Sequence, residues 1–257
     1  MLADTALAPV LAFMACTGIA AYAQNLTGFA FSLILLGLSS VLHIASITDA
    51  ANAATVLTLV NAWAYLRGHP GPLPTALLKP ILNGSVFGVV GGLALLHWLS
   101  GSAVNGLRAL LGLSILACAL LFMLRTQART TLSGRNSFRF VGVLSGVLGG
   151  LFSSSGPPLV FQMYRQPLAP ELIKRTLILS FAFNSAVRLA IVLPAGQFST
   201  RSAVLAACAF PVVYGVSRFH HRLPNRMAPR SLQAVVGGLL CLAGGTLLFG
   251  AWQALRA

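Results

Sequence analysis

The stretch at 140–164, FVGVLSGVLGGLFSSSGPPLVFQMY, decides how the rest of the chain is read. It is apolar on both sides of a polar break, Ser153-Ser154-Ser155-Gly156-Pro157-Pro158. Each arm holds roughly 13 residues, and at 1.5 Å per residue it reaches about 20 Å, short of the ~30 Å hydrocarbon core of a bilayer. Serines followed by glycine and proline read as capping residues before a proline at a first helical position. A helix started there points free N–H groups and its positive dipole end inward, an arrangement suited to small anions. Irregular backbone at membrane depth is tolerated only against protein or a wet cavity, so the break marks a candidate binding site.

That the surroundings are a bilayer follows from composition. Of the 257 residues, 57% are hydrophobic and 8% charged, against roughly a quarter charged in a soluble domain, which excludes a water-solvated globule. At about 20 apolar residues per crossing, the length permits about six to eight crossings and no soluble domain. Seventeen Lys and Arg face three acids. Such an excess can mark a nucleic-acid partner, but here the basic residues gather in short connections between apolar runs, as in cytoplasmic loops, so the lipid bilayer is the expected partner and nucleic acid is not. Asp4 and no basic residue precedes the first apolar run, which argues against a cleaved signal peptide. Cys16, Cys118, Cys208 and Cys241 lie in apolar runs without CxxC spacing, so no metal site, disulfide framework or cofactor is expected.

Between Asp4 and Asp49 no charge occurs, but Gln24-Asn25-Leu26-Thr27-Gly28 interrupts the run, predicting two helices that meet at a polar tip, the second beginning near Phe29. Spans follow at 50–66, 76–99 and 103–124, then a loop with Arg125, Arg129, Arg135 and Arg139. After the second broken segment come spans at 172–193, 202–217 and 232–251, with Arg218, Arg222, Arg226 and Arg230 around the last connection. The expected fold is all-α and integral to the membrane. It has a first repeat at 1–124, a basic cytoplasmic linker at 125–139 and a second repeat at 140–257, each repeat a broken hairpin, re-entrant or made of two full crossings and in either case returning to its starting side, plus three transmembrane helices. An odd number of crossings separates the halves, so the duplication would be inverted. Gly18 and Gly28 match Gly146 and Gly156 in spacing; Asn61 matches Asn184, Gly88 matches Gly215, and Leu107, Ala109 and Gly112 match Leu232, Ala234 and Gly237. With the two Arg-rich loops cytoplasmic, Arg67, His69, Lys79, Arg165, Lys174 and Arg175 fall on the same side. Asp49 falls outside, Arg201 is the one basic exception there, and both termini come out periplasmic or extracellular, as expected of a multi-pass inner-membrane protein.

Inverted symmetry brings the two tips together near the midplane, so Asn25, Thr27, Gly28 and Phe29 of the first hairpin and Ser153, Ser154, Ser155, Gly156 and Pro157 of the second are candidate substrate-binding residues. Asn61 and Asn184 either line that site or make ordinary interhelical bonds. Arg188 lies inside an apolar span where charge is costly; it either balances substrate charge or snorkels to the outer interface. Arg108 and Lys79 read as snorkellers and His43 and His97 as interfacial residues. No carboxylate falls at a membrane centre, which argues against a carboxylate proton relay or sodium site. An anion leaving a cell gains roughly 2.3 kcal/mol per charge per 100 mV, so export could run on membrane potential alone. Competing readings are a carrier of small carboxylates or other anions, an intramembrane serine protease built on Ser155 with a histidine, and a non-transporting assembly or sensor subunit. Homo-oligomerisation is compatible with all of them.

Two stretches also carry a family likeness. The first, GIAAYAQNLTGFAFSLILLGL at 18–38 followed by ITDAANAATVLTLVN at 47–61, and the second, 140–164 followed by ELIKRTLILSFAFNSAVRLA at 171–190, resemble the two repeats of the TauE/SafE family of anion transporters, also called sulfite exporters. Family members usually carry more glycine where this chain has residues 153–155. The resemblance implies transport, not catalysis, with sulfite, small sulfonates and related sulfur or carboxylate anions as substrates.

Overall fold

The computed structural model describes the backbone of residues 2–102, 104–123, 129–220 and 229–256, and the side chains of 7–99, 105–121, 123, 129–220 and 234–252. The linker residues 125–128 and the side chains of Arg222, Arg226 and Arg230 lie outside these. Ten helices and no strand occur among the described residues: α1 (Leu2–Thr27), α2 (Phe31–Val41), α3 (Ile47–Gly68), α4 (Thr75–Ser102), α5 (Val104–Met123), α6 (Arg135–Phe152), α7 (Gly156–Tyr164), α8 (Pro170–Val192), α9 (Thr200–Phe219) and α10 (Pro229–Arg256). The chain is an all-helical, multi-pass membrane protein, with segments of α1, α4, α8, α9 and α10 long and apolar enough to cross a bilayer.

Both broken segments are present with unequal arms. The first arms α1 and α6 hold 26 and 18 residues, the returning arms α2 and α7 only 11 and 9. At 1.5 Å per residue the returning arms reach about 17 and 14 Å, well short of a crossing. The expected start at Phe140 is corrected to Arg135, because Arg135 and Arg139 lie in the opening turns of α6 and not in a loop. The expected span at 50–66 forms as α3, yet α3 is not apolar enough to count as a crossing by composition. The cause is a polar stripe, Asn52, Thr55, Thr58 and Asn61, all buried and repeating every third residue, so α3 hides its polarity among other helices instead of meeting lipid.

The helices pack by reciprocal exchange: α4 crosses α6 and α9 crosses α1, α3 packs on α9 and α4 on α8, while α3 meets α8 and α5 meets α10. Asn61 and Asn184 both stand fourteen residues after the first residue of their helices, Ile47 and Pro170. The α4–α6 crossing is backbone on backbone. A Cβ at Gly84, Gly88 or Gly92 would strike the carbonyls of Arg139, Val143 or Val147, and one at Gly142, Gly146 or Gly150 those of Ile81, Ser85 or Val89, the small-residue contact membrane helices use for close approach.

Candidate functional site

Each break spans three residues. In the first, α1 stops where Gly28 turns left-handed (φ 82°) and its N–H returns to the Gln24 carbonyl at 2.6 Å; α2 begins after Ala30, also left-handed at φ 78°. In the second, α6 stops where Ser153 adopts φ 54° and its N–H returns to the Gly149 carbonyl at 2.9 Å; α7 begins after Ser155. The residue equivalent to Gly28 is therefore Ser153, and the matching of Gly28 with Gly156 from spacing is off by three residues. Gly156 is instead the first residue of α7.

The two tips meet. Gln24, Ala30, Phe31 and Ser32 from the first hairpin and Ser153, Ser154 and Ser155 from the second enclose a cavity of about 10 Å³, completed by Thr58 of α3 and Phe181 of α8. That volume is about what one water needs. Every lining residue is buried. Neither an acid nor a base lines the cavity, and Gln24 Oε1 has no hydrogen-bond partner. Neither Ala30 nor Ser155 caps its helix with a side chain. Of the first four backbone groups of each helix, normally unpaired, α2 offers an N–H at Ala30, Phe31, Ser32 and Leu33; α7 offers only those of Ser155 and Gly156, because Pro157 and Pro158 have none.

Arg188 stands directly behind the second tip. Only 1% exposed, it does not snorkel. Its Nε donates to the Gly150 carbonyl at 3.0 Å, and Nη1 donates to Thr55 Oγ1 at 2.6 Å, Asn52 Oδ1 at 3.0 Å and the Ala51 carbonyl at 3.3 Å. The guanidinium thus places positive charge on the last turn of α6, where carbonyls lack helical partners and the dipole is negative. Thr55 Oγ1 lies 3.1 Å from Ser153 Oγ, so one hydroxyl links Arg188 to the cavity wall. Arg188 Nη2 has no partner. Asn184 Nδ2 donates to Ser155 Oγ at 2.7 Å and Ser145 Oγ to the Ser155 carbonyl at 2.8 Å. A protease reading finds no support here, since the serine partner is an amide and not an imidazole.

The remaining sequence candidates lie around this core without lining it. Asn25 Nδ2 donates to Ser217 Oγ at 3.1 Å, and the Ser217 hydroxyl donates in turn to Asn61 Oδ1, tying α1, α3 and α9 together. Thr27 Oγ1 accepts the Phe29 N–H at 3.3 Å, and the Thr27 carbonyl accepts the Tyr164 hydroxyl at 2.7 Å, the Phe29 ring meeting Tyr164 edge-on. A Cβ at Gly28 would meet the backbone of Lys174, and one at Gly156 would meet Leu33, Cys118 and the Ser154 hydroxyl, so Gly28 faces packing and Gly156 stands next to the cavity wall without lining it. Pro157 is buried in the first turn of α7. Sequence reading missed Gln24, Ala30, Phe31, Ser32, Thr58 and Phe181 as lining residues; the three-residue polar spacing along α3 is the signal that points to Thr58.

Two polar clasps flank the cavity. Asn52 Nδ2 donates to the Gln197 carbonyl at 2.9 Å, in the connection after α8. Arg175 donates to the carbonyls of His69, at 2.9 Å, and Gly71, in the connection after α3. Each donor stands five residues after the first residue of its helix. Beside the Asn52 clasp, Asp49 accepts from Ser46, Ser199 and Ser202 at 2.8, 2.5 and 3.0 Å, while Arg201 donates to the Ile44 carbonyl at 2.6 Å. Burial pushes the Asp49 carboxyl up, but the hydrogen bonds from Ser199, Ser46 and Ser202 and the charge of Arg201 outweigh it and hold the group below its ordinary value. Arg201, the exception in the charge pattern, is thus held by local partners.

Comparisons with known proteins assign the chain to a family. The family model described as "Sulfite exporter TauE/SafE" matches residues 13–247. A curated relative from Cupriavidus necator, named "Probable sulfite/organosulfonate exporter TauE", is 35% identical over 248 residues, covering 96% of this chain and 97% of the relative. No solved structure matches the chain. With a family match across nearly its whole length and a relative aligned end to end, the chain belongs to the TauE/SafE family of sulfite exporters, membrane transporters and not enzymes.

Proposed function

We propose that this transporter exports sulfite or an organosulfonate, and that the anion binds between the two hairpin tips. The observation that carries the reading is the buried cavity formed where Ser153, Ser154 and Ser155 face Gln24, Ser32 and Thr58. Its walls offer hydroxyls and the uncapped start of α2, with positive charge supplied by Arg188 through the Thr55 hydroxyl behind Ser153. Hydrogen bonds to a charged group contribute about 1.5–3 kcal/mol each, and a helix N-terminus about 0.3–2 kcal/mol. Carboxylates are kept at a distance: Asp49 lies in the first turn of α3 and Glu171 in the first turn of α8. A cavity of about 10 Å³ is too small for sulfite, so admission requires the tips to separate. The Arg175 and Asn52 clasps suit this role as alternating closures towards the two sides, in halves related as inverted repeats.

The same reading sets direction. Among the described residues, Arg67, Lys79, Arg129, Arg135, Arg139, Arg165, Lys174, Arg175 and Arg218 lie towards the Arg175 end, whereas Arg108 and Arg201 lie towards the Asn52 end. The positive-inside rule then makes the first end cytoplasmic and both termini periplasmic. Outward movement of an anion is favoured by roughly 2.3 kcal/mol per charge per 100 mV. The test is purified protein in liposomes: sulfite efflux should rise with an interior-negative potential, and sulfonates should compete while a neutral analogue of similar size should not. Transport of small carboxylates with no response to sulfite would assign the chain to the carboxylate reading instead.

A further inference from the structure

At the Arg175 end, a second cavity of about 310 Å³ opens between α4 and α6, lined by Ala76, Lys79, Pro80, Asn83, Arg135 and Arg139. Three cations converge on it and no carboxylate lines it. Of the two acids with described side chains, Asp49 is at the other end, and Glu171 acts on Tyr65 and Lys174. The reciprocal glycines hold α4 and α6 backbone to backbone, so the cations on the two helices sit at a fixed separation. Along α4 the cavity face continues as Lys79, Asn83, Phe87 and Val90, spaced four, four and three residues, and along α6 as Arg135, Arg139 and Val143, spaced four apart; such residues share one helix face. Beyond the cations this surface is apolar and open: Phe87 is 77%, Val90 51% and Val143 36% exposed, and Phe140, 66% exposed, borders the α6 row.

The geometry points to a binding site for one anionic phospholipid, its phosphate headgroup among Lys79, Asn83, Arg135 and Arg139 and its acyl chains along Phe87 and Phe140. Ordinary basic residues at a membrane surface are spread over loops and attract anionic lipid diffusely. Here three are gathered into one cavity beside an exposed apolar helix face, which suits a phosphate that carries acyl chains better than a soluble one and offers no partner to the ammonium of a zwitterionic headgroup.

The test is native mass spectrometry of the detergent-purified full chain titrated with phosphatidylglycerol, phosphatidylcholine and, as the soluble source of the same phosphate chemistry, glycerol 3-phosphate. Phosphatidylglycerol should bind saturably, one molecule per chain, at least about 10-fold tighter than phosphatidylcholine, with glycerol 3-phosphate failing to displace it. The triple variant Lys79→Gln/Arg135→Gln/Arg139→Gln should weaken it roughly 100-fold, about fivefold per cation, whereas Arg67→Gln/Arg218→Gln at the same end should leave it within about twofold. Equal retention of the two lipids by the wild-type chain, which needs no variant to fold, overturns the inference. So do displacement by glycerol 3-phosphate, wild-type affinity in the folded triple variant, and an equal loss in the double variant.

Discussion

The two hairpins share a backbone plan and differ in what stands behind it. Both stop their first helix with a left-handed residue, leave three residues unwound and start a short helix towards the same cavity. The first, Gly28-Phe29-Ala30, has an apolar tip; it closes on its own backbone and the Tyr164 hydroxyl, and it presents α2 with a full set of N–H groups. The second, Ser153-Ser154-Ser155, loses two N–H groups to proline and replaces them with hydroxyls braced by Asn184 and, through Thr55, by Arg188. One scaffold thus supplies two kinds of anion contact, dipole on one side and hydroxyl with charge on the other. A single buried arginine makes the second tip the more dependent on its surroundings.

The comparison breaks most visibly at Arg188. Arg188→Gln withdraws the charge behind the second tip and leaves the Gly150 carbonyl and the Thr55 and Asn52 oxygens without their donor, so sulfite flux in liposomes should fall by at least about 100-fold. Arg188→Lys should recover part of it, because an ammonium lacks the planar fork. Near-normal flux in the Gln variant would reduce Arg188 to a packing residue and the second hairpin to the level of the first.

The two left-handed positions sharpen the contrast at the level of stability. Gly28→Ala forces a Cβ against the Lys174 backbone at a positive φ, and should lower stability by about 1–3 kcal/mol. Ser153→Gly relieves about 1 kcal/mol of left-handed strain but removes the hydroxyl beside Thr55, so thermal melting should hold or rise while sulfite affinity drops a few-fold. Loss of stability without loss of affinity in Ser153→Gly would reverse the assignment.

Much of this was legible from the chain because polar residues are scarce in an apolar sequence: the stretches 153–158 and 24–28 marked where helices break, although α1 stays helical through Thr27 and unwinds only at Gly28 to Ala30, and Arg188 had to be held by something. What it was held by was not legible, since Gly150, Ala51, Asn52 and Thr55 come from two other helices that only packing brings together. Abundant glycine hid the register, allowing Gly28 to be paired with Gly156 when turn geometry pairs it with Ser153. Charge hid the start of α6, where Arg135 and Arg139 read as loop although they belong to a helix whose end reaches the membrane surface. Ser32 was silent for a related reason: one hydroxyl in an apolar helix is ordinary until a second tip faces it, whereas Thr58 was marked by the polar spacing along α3.

The smallest expected effect concerns the Asn52 clasp. Because the folded-state pKa of Asp49 lies below its unfolded value of about 3.9, its contribution to stability is present above that value and is lost as pH falls through the folded pKa. Melting curves should show Asp49→Asn slightly destabilised at pH 7, with the difference from wild type shrinking below about pH 4. A difference constant across that range would detach Asp49 from the serine cluster.

An anion seated between the tips touches both hairpins or the helices that back them. Isothermal titration calorimetry of sulfite into purified wild type, Thr58→Val and Ser154→Ala tests this placement, since the first change keeps the side-chain shape and the second adds no bulk while each deletes a hydroxyl from the cavity wall. Both variants should melt within a few degrees of wild type and bind sulfite at least about 10-fold more weakly. Folded variants that bind sulfite with wild-type affinity would place the site elsewhere in the bundle and leave the meeting of the tips a feature of packing.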